Sequence, residues 1–545
     1  MNKIEFSCGC KFNTNEHGKI IIPLDTFWDD LNYKCKATWD LISSGNVKCG
    51  FQIESSFGMQ LAKSIRMDSI DELSDLISIS RPGCNDAHME DGKTLTQHYI
   101  MRKNKQEEAA PFHPAIEQYL SKTYQIMVYQ EQVSKMVQGV ANFTPIEADD
   151  LRKAAAKKRS DLMAPLKDKF VEGCKAKGLI NEQDSLRIWE WISAGSRYLF
   201  CLSHGTAYAY VTYASIYMKT HFPLKTFCNW LSFAHAEPES QIEIAELYNN
   251  AKVMGFDIYG PDFRLLNPHF VLNKDCIYFG LSDVHGVGAA AFDKALLLTK
   301  QIEESIGSRY SWSYLDLMFR FLYNCSSTVA ENLISAGAFD YICSKRTQTK
   351  YEYQQIAELK DTAMNWILVN YNKYGSIREV LEACLLYNKF RQPRSKKIVE
   401  EILERVVNPN YKLNDTAVYL AGEEKRLLGV SITCSTVDGC DTASANCNCQ
   451  EYLQGKNGYI IMAVHVDSVK EVDIKNGKNA GKKMAFLDVS DSTCAIQGLP
   501  IFADSWKDNK MYLTKGNTVM VGGNRGKTKD KTLIVEKIWQ LQLQK

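Results

Sequence analysis

The sequence predicts a multidomain, mainly α-helical protein that ends in a small β-barrel, and three observations carry that expectation. Its 545 residues exceed what one hydrophobic core organises, at roughly one domain per 100 to 200 residues. Between residues 71 and about 234, apolar side chains such as Val133, Met136, Val137 and Val140 recur at the three-and-four spacing of one helix face. From 458 to 545 the pattern changes to alternating runs, at 459–466, 484–489 and 518–521, parted by Gly, Asn, Asp and Lys turns.

The elements follow in order. Residues 1–58 read as an opening segment that mixes a β-like run at 19–23 with an amphipathic stretch at 37–42; a large helical domain covers 59–240. The region 241–344 holds a tight Gly286-Val287-Gly288 turn before an apolar run, then Leu333-Ile334-Ser335-Ala336-Gly337 about fifty residues later. A charge-mixed helical linker is expected at 345–426, a Cys-rich loop at 427–457 and the barrel at 458–545.

A hydrophobic content of 45% and a charged content of 24% exclude disordered and fibrous classes. The net charge of +1 conceals a local imbalance: residues 151–178 carry nine Lys or Arg against three Asp or Glu. No run of eighteen apolar residues is present, and the first twelve residues hold Glu5 and two cysteines where an export leader needs an apolar stretch. The expectation is a soluble cytoplasmic protein with no membrane contact, whose seventeen cysteines are free thiols or metal ligands rather than disulfides.

The most informative stretch is 193–223, SAGSRYLFCLSHGTAYAYVTYASIYMKTHFP. Arg197 offers a forked cation, His204 a hydrogen bond, and the helix start its N–H groups and positive dipole end, which together suit a triphosphate. The competing reading makes Tyr208, Tyr210, Tyr213 and Tyr217, with Tyr198 just before, a core stripe and His204 a helix cap. The Gly286-Val287-Gly288 turn lets backbone N–H groups approach phosphate, or is an ordinary turn. In the barrel, Lys482, Lys483, Lys510, Lys515, Arg525, Lys527 and Lys529 beside Phe486, Phe502, Trp506 and Tyr512 form the inventory of a single-strand-binding surface. Cys434, Cys440, Cys447 and Cys449 lie within sixteen residues and suit a structural Zn2+, against free thiols; Cys8, Cys10, Cys35 and Cys49 form a looser set.

Three ordered blocks resemble the bacterial replicative DNA polymerase III alpha subunit, the C-family polymerase: TYQIMVYQEQV at 123–133, ADDLRKAAAKKR at 148–159 and FCLSHGTAYAYVTY at 200–213. TWDLISSGNVKCGFQIES (38–55) and LISISRPG (76–83) resemble that family's passage from palm into fingers. GLSDVHGVG (280–288) and LISAGAFD (333–340) resemble its tandem helix-hairpin-helix, and EKRLLGVSIT (424–433) with 486–522 resembles the lead into its OB-fold. The resemblance covers the chain from about residue 37 onward.

It implies a fingers domain, a helix-hairpin-helix region and an OB-like barrel that grip incoming dNTP and DNA primer-template in DNA-directed DNA synthesis. By position, Arg197, Ser203, His204, Lys153 and Lys157 would face the nucleotide. Arg152, Lys158, Arg159, Gly286, Val287 and Gly288 would face DNA. Cys201-Leu202-Ser203-His204 departs from the family's Asn-Lys-Ser-His, losing one positive charge, and Ala156 replaces a Gly.

The family's two Mg2+ ions sit on paired palm aspartates. Only about 36 residues precede Ala37 here, without an Asp-x-Asp pair; Asp29 and Asp30 are adjacent and would not converge from one strand face. The expectation is a split, bacteriophage-type enzyme: no catalytic residue in this chain, which is inactive alone, and Mg2+ held by a separate palm chain. The alternative is a non-catalytic DNA-binding relative or accessory replication protein. A sliding clamp is a further expected partner, with Gln354-Gln355-Ile356 as its peptide, in a bacterial or phage-infected cell.

Overall fold

The computed structural model describes the chain except residues 1, 17–18, 24, 82–83, 86–88, 90, 157–159, 196–198, 388–392, 411–412, 475–478, 527–531 and 542–545, and the side chains of 2, 155–156 and 160–162. Two compact units result, Met1–Thr226 and Phe227–Lys545, the division falling inside the helix Pro223–Ala234. Among the described residues no helix is long and apolar enough to cross a membrane.

The first unit opens with a three-stranded antiparallel meander, β1 (Asn2–Glu5), β2 (Lys11–Thr14) and β3 (Ile20–Ile21), in the register Asn2 with Thr14 and Glu5 with Lys11. Four helices follow: α1 (Lys36–Ser43), α2 (Ser56–Ile65), α3 (Ile70–Ile79) and α4 (Leu95–Lys103). Three of their starts are fixed locally. Ser55 and Ser69 accept from the amides of Gly58 and Glu72, and Thr94 and Gln97 form a reciprocal capping box. Helix α3 is buried nearly all round, which is the signature of a helix at the centre of a core rather than on its surface.

Five further helices complete the unit: α5 (Gln130–Ala141), α6 (Pro145–Ala156), α7 (Ser160–Lys177), α8 (Glu182–Gly195) and α9 (Leu202–His221). The expected stripe of Val133, Met136, Val137 and Val140 is buried against Phe170, Ile188 and Trp189. A second core joins α1, α3 and α9 through Trp39, Leu73, Leu76, Tyr213 and Ile216. Each large apolar side chain so buried contributes about 1.5–3 kcal/mol. Two polar groups are buried with them. Lys219 of α9 donates from Nζ to the carbonyls of Asn46 (3.1 Å) and Lys48 (2.8 Å) and to Asn46 Oδ1 (2.8 Å). Asp75 of α3 accepts from the hydroxyls of Tyr99 (2.7 Å) and Tyr129 (2.6 Å).

The second unit begins with α10 (Ser240–Val253) and a small sheet in the order β4 (Ile258–Tyr259), β6 (Cys276–Tyr278), β5 (Val271–Asn273), parallel then antiparallel. Helices α11 (Gly288–Ile306) and α12 (Ser327–Ser335) follow. The segment read as a linker folds into α13 (Arg346–Ile356), α14 (Asp361–Asn370), α15 (Ile377–Leu385), α16 (Pro393–Val407) and α17 (Ala417–Leu428). It is tied in by Arg346, whose guanidinium reaches Glu424 (2.8 Å) and Asp340 (2.5 Å).

The C-terminal sheet is antiparallel and OB-like, with strands β7 (Tyr459–Asp473), β8 (Lys483–Ser490), β9 (Ala495–Ile501), β10 (Thr518–Arg525) and β11 (Leu533–Gln540). They lie in the order β11-β10-β7-β8-β9, with the helix Ala503–Asn509 between β9 and β10. The three alternating runs of the sequence are β7, β8 and β10. In β8 the period of two puts Ala485, Leu487 and Val489 inside and leaves Phe486 exposed.

Burial raises the Asp75 carboxyl to about 6, against the two tyrosine hydroxyls that favour its ionised form. The folded protein therefore holds this proton more tightly than the unfolded chain between about pH 4 and 6, so the site's contribution is fully present below that window and lost as pH rises through it. In Asp75→Asn that dependence is absent. Hydrogen exchange of the α3 amides should show wild type losing about 2 kcal/mol relative to Asp75→Asn from pH 4 to 6; a constant difference would show that Asp75 does not titrate there.

Candidate nucleic-acid interface

Helix α9 starts where two distant segments meet. The amides of Gln130 and Phe200 bond to the carbonyls of Phe200 and Val128, each at 2.9 Å, and Tyr129 and Phe200 form a parallel bridge. The same Tyr129 carries the hydroxyl bound by Asp75 and Ser74. Gly205 completes the junction, because a Cβ there would lie 2.8 Å from Ser74 Oγ and 3.0 Å from Ser78 Oγ. The approach of α9 to α3 thus requires a residue without a side chain.

This junction carries a run of rings, half-buried at Phe51, Phe200 and Tyr208 and exposed at His204. The Arg81 guanidinium lies 4.2 Å over Phe200; the rings of Phe200 and His204 are 5.3 Å apart, those of His204 and Tyr208 4.0 Å, and those of Tyr208 and Phe51 5.0 Å. Ser203 and His204 are both exposed. Arg197, the forked cation expected here, lies outside the described residues, as do Lys157, Lys158 and Arg159. The sequence reading missed two residues. Arg81 stands in the LISISRPG block, where its partner Phe200 is 119 positions away and gives no local signal. Glu131 accepts from the Leu202 amide at 2.9 Å and from Cys201 Sγ at 3.4 Å, so a carboxylate already sits at the helix start expected to offer open N–H groups. Of the tyrosines, Tyr213 and Tyr217 are core, Tyr208 is half-buried and Tyr210 is exposed, so the helix is a core stripe on one side and a surface on the other.

The basic segment is less bare than its count suggests. Asp149 pairs with both Arg152 and Lys153 at 2.7 Å, and Glu147 pairs with Lys169. Both carboxylates precede residue 151 and so lie outside the nine-to-three window; the i,i+3 and i,i+4 spacing of Asp149 to Arg152 and Lys153 on one helix is legible, whereas Glu147 reaches Lys169 on the next helix. Side chains here are 42–56% exposed, so the pairs to Asp149 are screened by solvent and add little stability.

In the second unit the Gly286-Val287-Gly288 turn opens α11. Gly286, Gly288, Ala289 and Ala290 are exposed, a surface with no side chain larger than a methyl, while Val287 is buried and can face a ligand only through its backbone. Gly286 has φ +83°, and a Cβ there would stand 2.6 Å from Asn332 Nδ2, which donates to the His285 carbonyl. Leu333 to Gly337 ends α12 and its turn. On the C-terminal sheet, Glu471 collects Lys483 (2.6 Å), Lys510 (2.9 Å) and the Trp506 indole N–H (2.9 Å), and Lys482 pairs with Asp504. Trp506 is core; Phe486 and Phe502 are exposed, joined by Tyr459 and Trp539 beside Gly522.

The four cysteines expected to hold Zn2+ do not converge. Cys434 Sγ donates to the Ala417 carbonyl, Cys440 Sγ to Thr436 and Cys447 Sγ to Asn448. Asn448 caps the short helix Cys449–Leu453, which turns Cys449 into the core of the sheet. The thiols that do gather are those of the looser set, Cys8, Cys10 and Cys35, with His221 in the fourth position expected for Cys49. A second, more exposed group is His235, His269 and Asp283, in which His269 Nδ1 lies 2.8 Å from Asp283 Oδ1.

Gly286→Ala should destabilise the full chain more than Gly288→Ala. Both force a side chain into left-handed backbone, at about 1–2 kcal/mol, but only Gly286→Ala also breaks the Asn332 contact, for about 1 kcal/mol more. Thermal unfolding checks the order, and equal losses would remove the packing argument.

Residues 11–178 match the family model for the bacterial DNA polymerase III alpha subunit finger domain. The chain is 34% identical to the DNA polymerase III subunit alpha of Aquifex aeolicus over 328 residues, 60% of this chain and 26% of that protein. It is 27% identical to that of Chlamydia pneumoniae over 88% of this chain and 36% of that protein, and 25% identical to that of Staphylococcus epidermidis over 94% and 43%. It therefore spans about a quarter to two fifths of the length of these relatives. The stretch 11–178 is thus similar to the finger domain of the bacterial DNA polymerase III alpha subunit, and most of the chain is similar to a part of that subunit.

Proposed function

We propose that this chain is the fingers and DNA-binding portion of a DNA-directed DNA polymerase, gripping incoming dNTP and primer-template while palm carboxylates on another polypeptide hold Mg2+. The observation that carries the reading is the ladder of exposed Arg81 and His204 with half-buried Phe200 and Tyr208, beside exposed Ser203 at the start of a long helix, with Arg81 inside the stretch that matches polymerase fingers. A guanidinium and an imidazole beside hydroxyl and backbone donors suit a triphosphate, and the flat rings suit a base. The bound Mg2+ would activate the primer hydroxyl and steady the departing pyrophosphate. This chain's own task is positional: it holds the triphosphate and the template strand so that the reacting atoms meet in line.

Glu131 gives the grip a selectivity of its own. Its carboxylate occupies the start of α9, so a triphosphate binds beside it, on Arg81, Ser203, His204 and Arg197, rather than on the capped amide. Arg152, Lys158 and Arg159 contribute the salt-sensitive contact to template phosphates, with phosphate displacing Asp149 from Arg152, while Lys153 and Lys157 stand toward the nucleotide. Backbone amides of Gly286 to Gly288 supply a second phosphate contact.

Arg81→Ala and His204→Ala should each lower kcat/KM for dNTP about tenfold to a hundredfold in the enzyme assembled with a palm-bearing polypeptide, with primer-template affinity nearly unchanged. Arg152→Ala should instead weaken DNA binding and reduce its salt slope by about one. Nucleotide use unaffected by Arg81→Ala and His204→Ala would refute the triphosphate site. DNA binding without any stimulation of a palm chain would favour a non-catalytic DNA-binding relative.

A further inference from the structure

We propose that Cys8, Cys10, Cys35 and His221 form a structural zinc site that fastens the N-terminal meander to the end of helix α9. The four ligand atoms all lie within 4.8 Å of one another, with His221 Nε2 4.0 Å from Cys8 Sγ and 3.6 Å from Cys35 Sγ. Zn–S bonds of about 2.3 Å and Zn–N bonds of about 2.0–2.1 Å in a tetrahedron place neighbouring ligands roughly 3.5–3.8 Å apart. The two His221 distances lie within about 0.5 Å of that spacing and no pair exceeds 4.8 Å, so shifts of about 1 Å or less close the set on one ion. Three thiolates and an imidazole are a closed structural set for Zn2+, with no open position for a substrate.

The surroundings agree with a metal rather than with chance packing of thiols. Cys10, Cys35 and His221 are buried, and Cys8 is partly open, which leaves the ion a way in. Asn32 Nδ2 approaches Cys10 Sγ at 3.5 Å, an N–H to sulfur contact of the kind that steadies a thiolate ligand. The rings of Phe6, Phe12 and Tyr217 pack around His221 with centroids 4.4–5.4 Å away and hold its orientation. His221 is the last residue of α9, where the helix dipole favours a cation.

The meander also has a reason to need a staple. In its first hairpin, residues 3–14, only Cys10 and Thr14 are buried, far too little apolar surface to hold two four-residue strands in place. Two of the four ligands come from the Cys8-Gly9-Cys10 turn between those strands, so one ion would replace the missing core.

Full-length protein purified without chelator should carry one zinc per chain by mass spectrometry of its metal content. Cys35→Ser and His221→Ala should reduce this to near zero, and Cys434→Ser should leave it unchanged. Cobalt exchanged into the wild type should give the intense visible bands and sulfur-to-metal charge transfer of a tetrahedral thiolate site. His221→Cys should retain the ion with those bands moved to longer wavelength, which keeps the test open if the emptied variants do not fold. Chelation should raise hydrogen exchange in residues 2–14 before it affects α5 to α8. A wild type without stoichiometric metal, a weak six-coordinate cobalt spectrum, or metal loss in Cys434→Ser instead of Cys35→Ser would overturn the site.

Discussion

The first unit depends on a buried carboxylate that is held by two tyrosines. Asp75 sits on a helix enclosed on nearly every side, and its acceptor atoms fix Tyr99 of α4 and Tyr129 at the start of α5. Tyr129 in turn pairs with Phe200, so the position of the ring ladder is set by a hydrogen bond made in the core. An unsatisfied buried carboxyl or phenol would cost several kcal/mol, so the three groups hold one another to a single arrangement. The close pass of Gly205 over Ser74 then sets the direction in which α9 leaves the junction. A surface meant to discriminate between ligands gains from such support, because its rings do not need ordering when a ligand arrives.

A second theme is that the basic surfaces come with their own counter-charges. Asp149, Glu147 and Glu471 hold Arg152, Lys153, Lys169, Lys483 and Lys510 in half-exposed pairs. Pairs of that kind add little stability, yet they keep long side chains extended and at hand. An arriving phosphate exchanges one anion for another instead of ordering a free lysine, so the entropy cost is met before binding. That arrangement suits a polymer ligand that has to be held and then moved along.

What could be read from the sequence was what repeats locally. Helical stripes such as Val133 to Val140, the amphipathic 37–42 segment and the alternating strands at 459–466 and 484–489 correspond to elements, because periods of 3.6 and 2 survive in any context. What could not be read joins positions far apart. His221 meets Cys35 across 186 residues, and Arg81 meets Phe200 across 119. The Cys434 to Cys449 spacing was attractive as a string, but Asn448 caps a helix turn there and directs Cys449 inward. The charge count over 151–178 leaves out Asp149, which stands one helical turn upstream of Arg152 and Lys153. Glu131 was invisible because helix starts attract acids from any part of a chain, and nothing in its neighbourhood announces which one.

The knot around Arg346 has a consequence for how this chain can change. Its guanidinium bonds Asp340, Glu424, Thr433 Oγ1 and the Ser335 carbonyl, while Glu424 also accepts the amides of Ile432 and Thr433. Gly337 must stay small, for a Cβ there would lie 2.3 Å from the guanidinium. An apolar filling of the same volume could be as stable as the ions it replaced, but every single step toward it strands a buried charge. The positions can therefore change only in concert, each single step being opposed by the charge it would strand rather than by any stability the cluster adds.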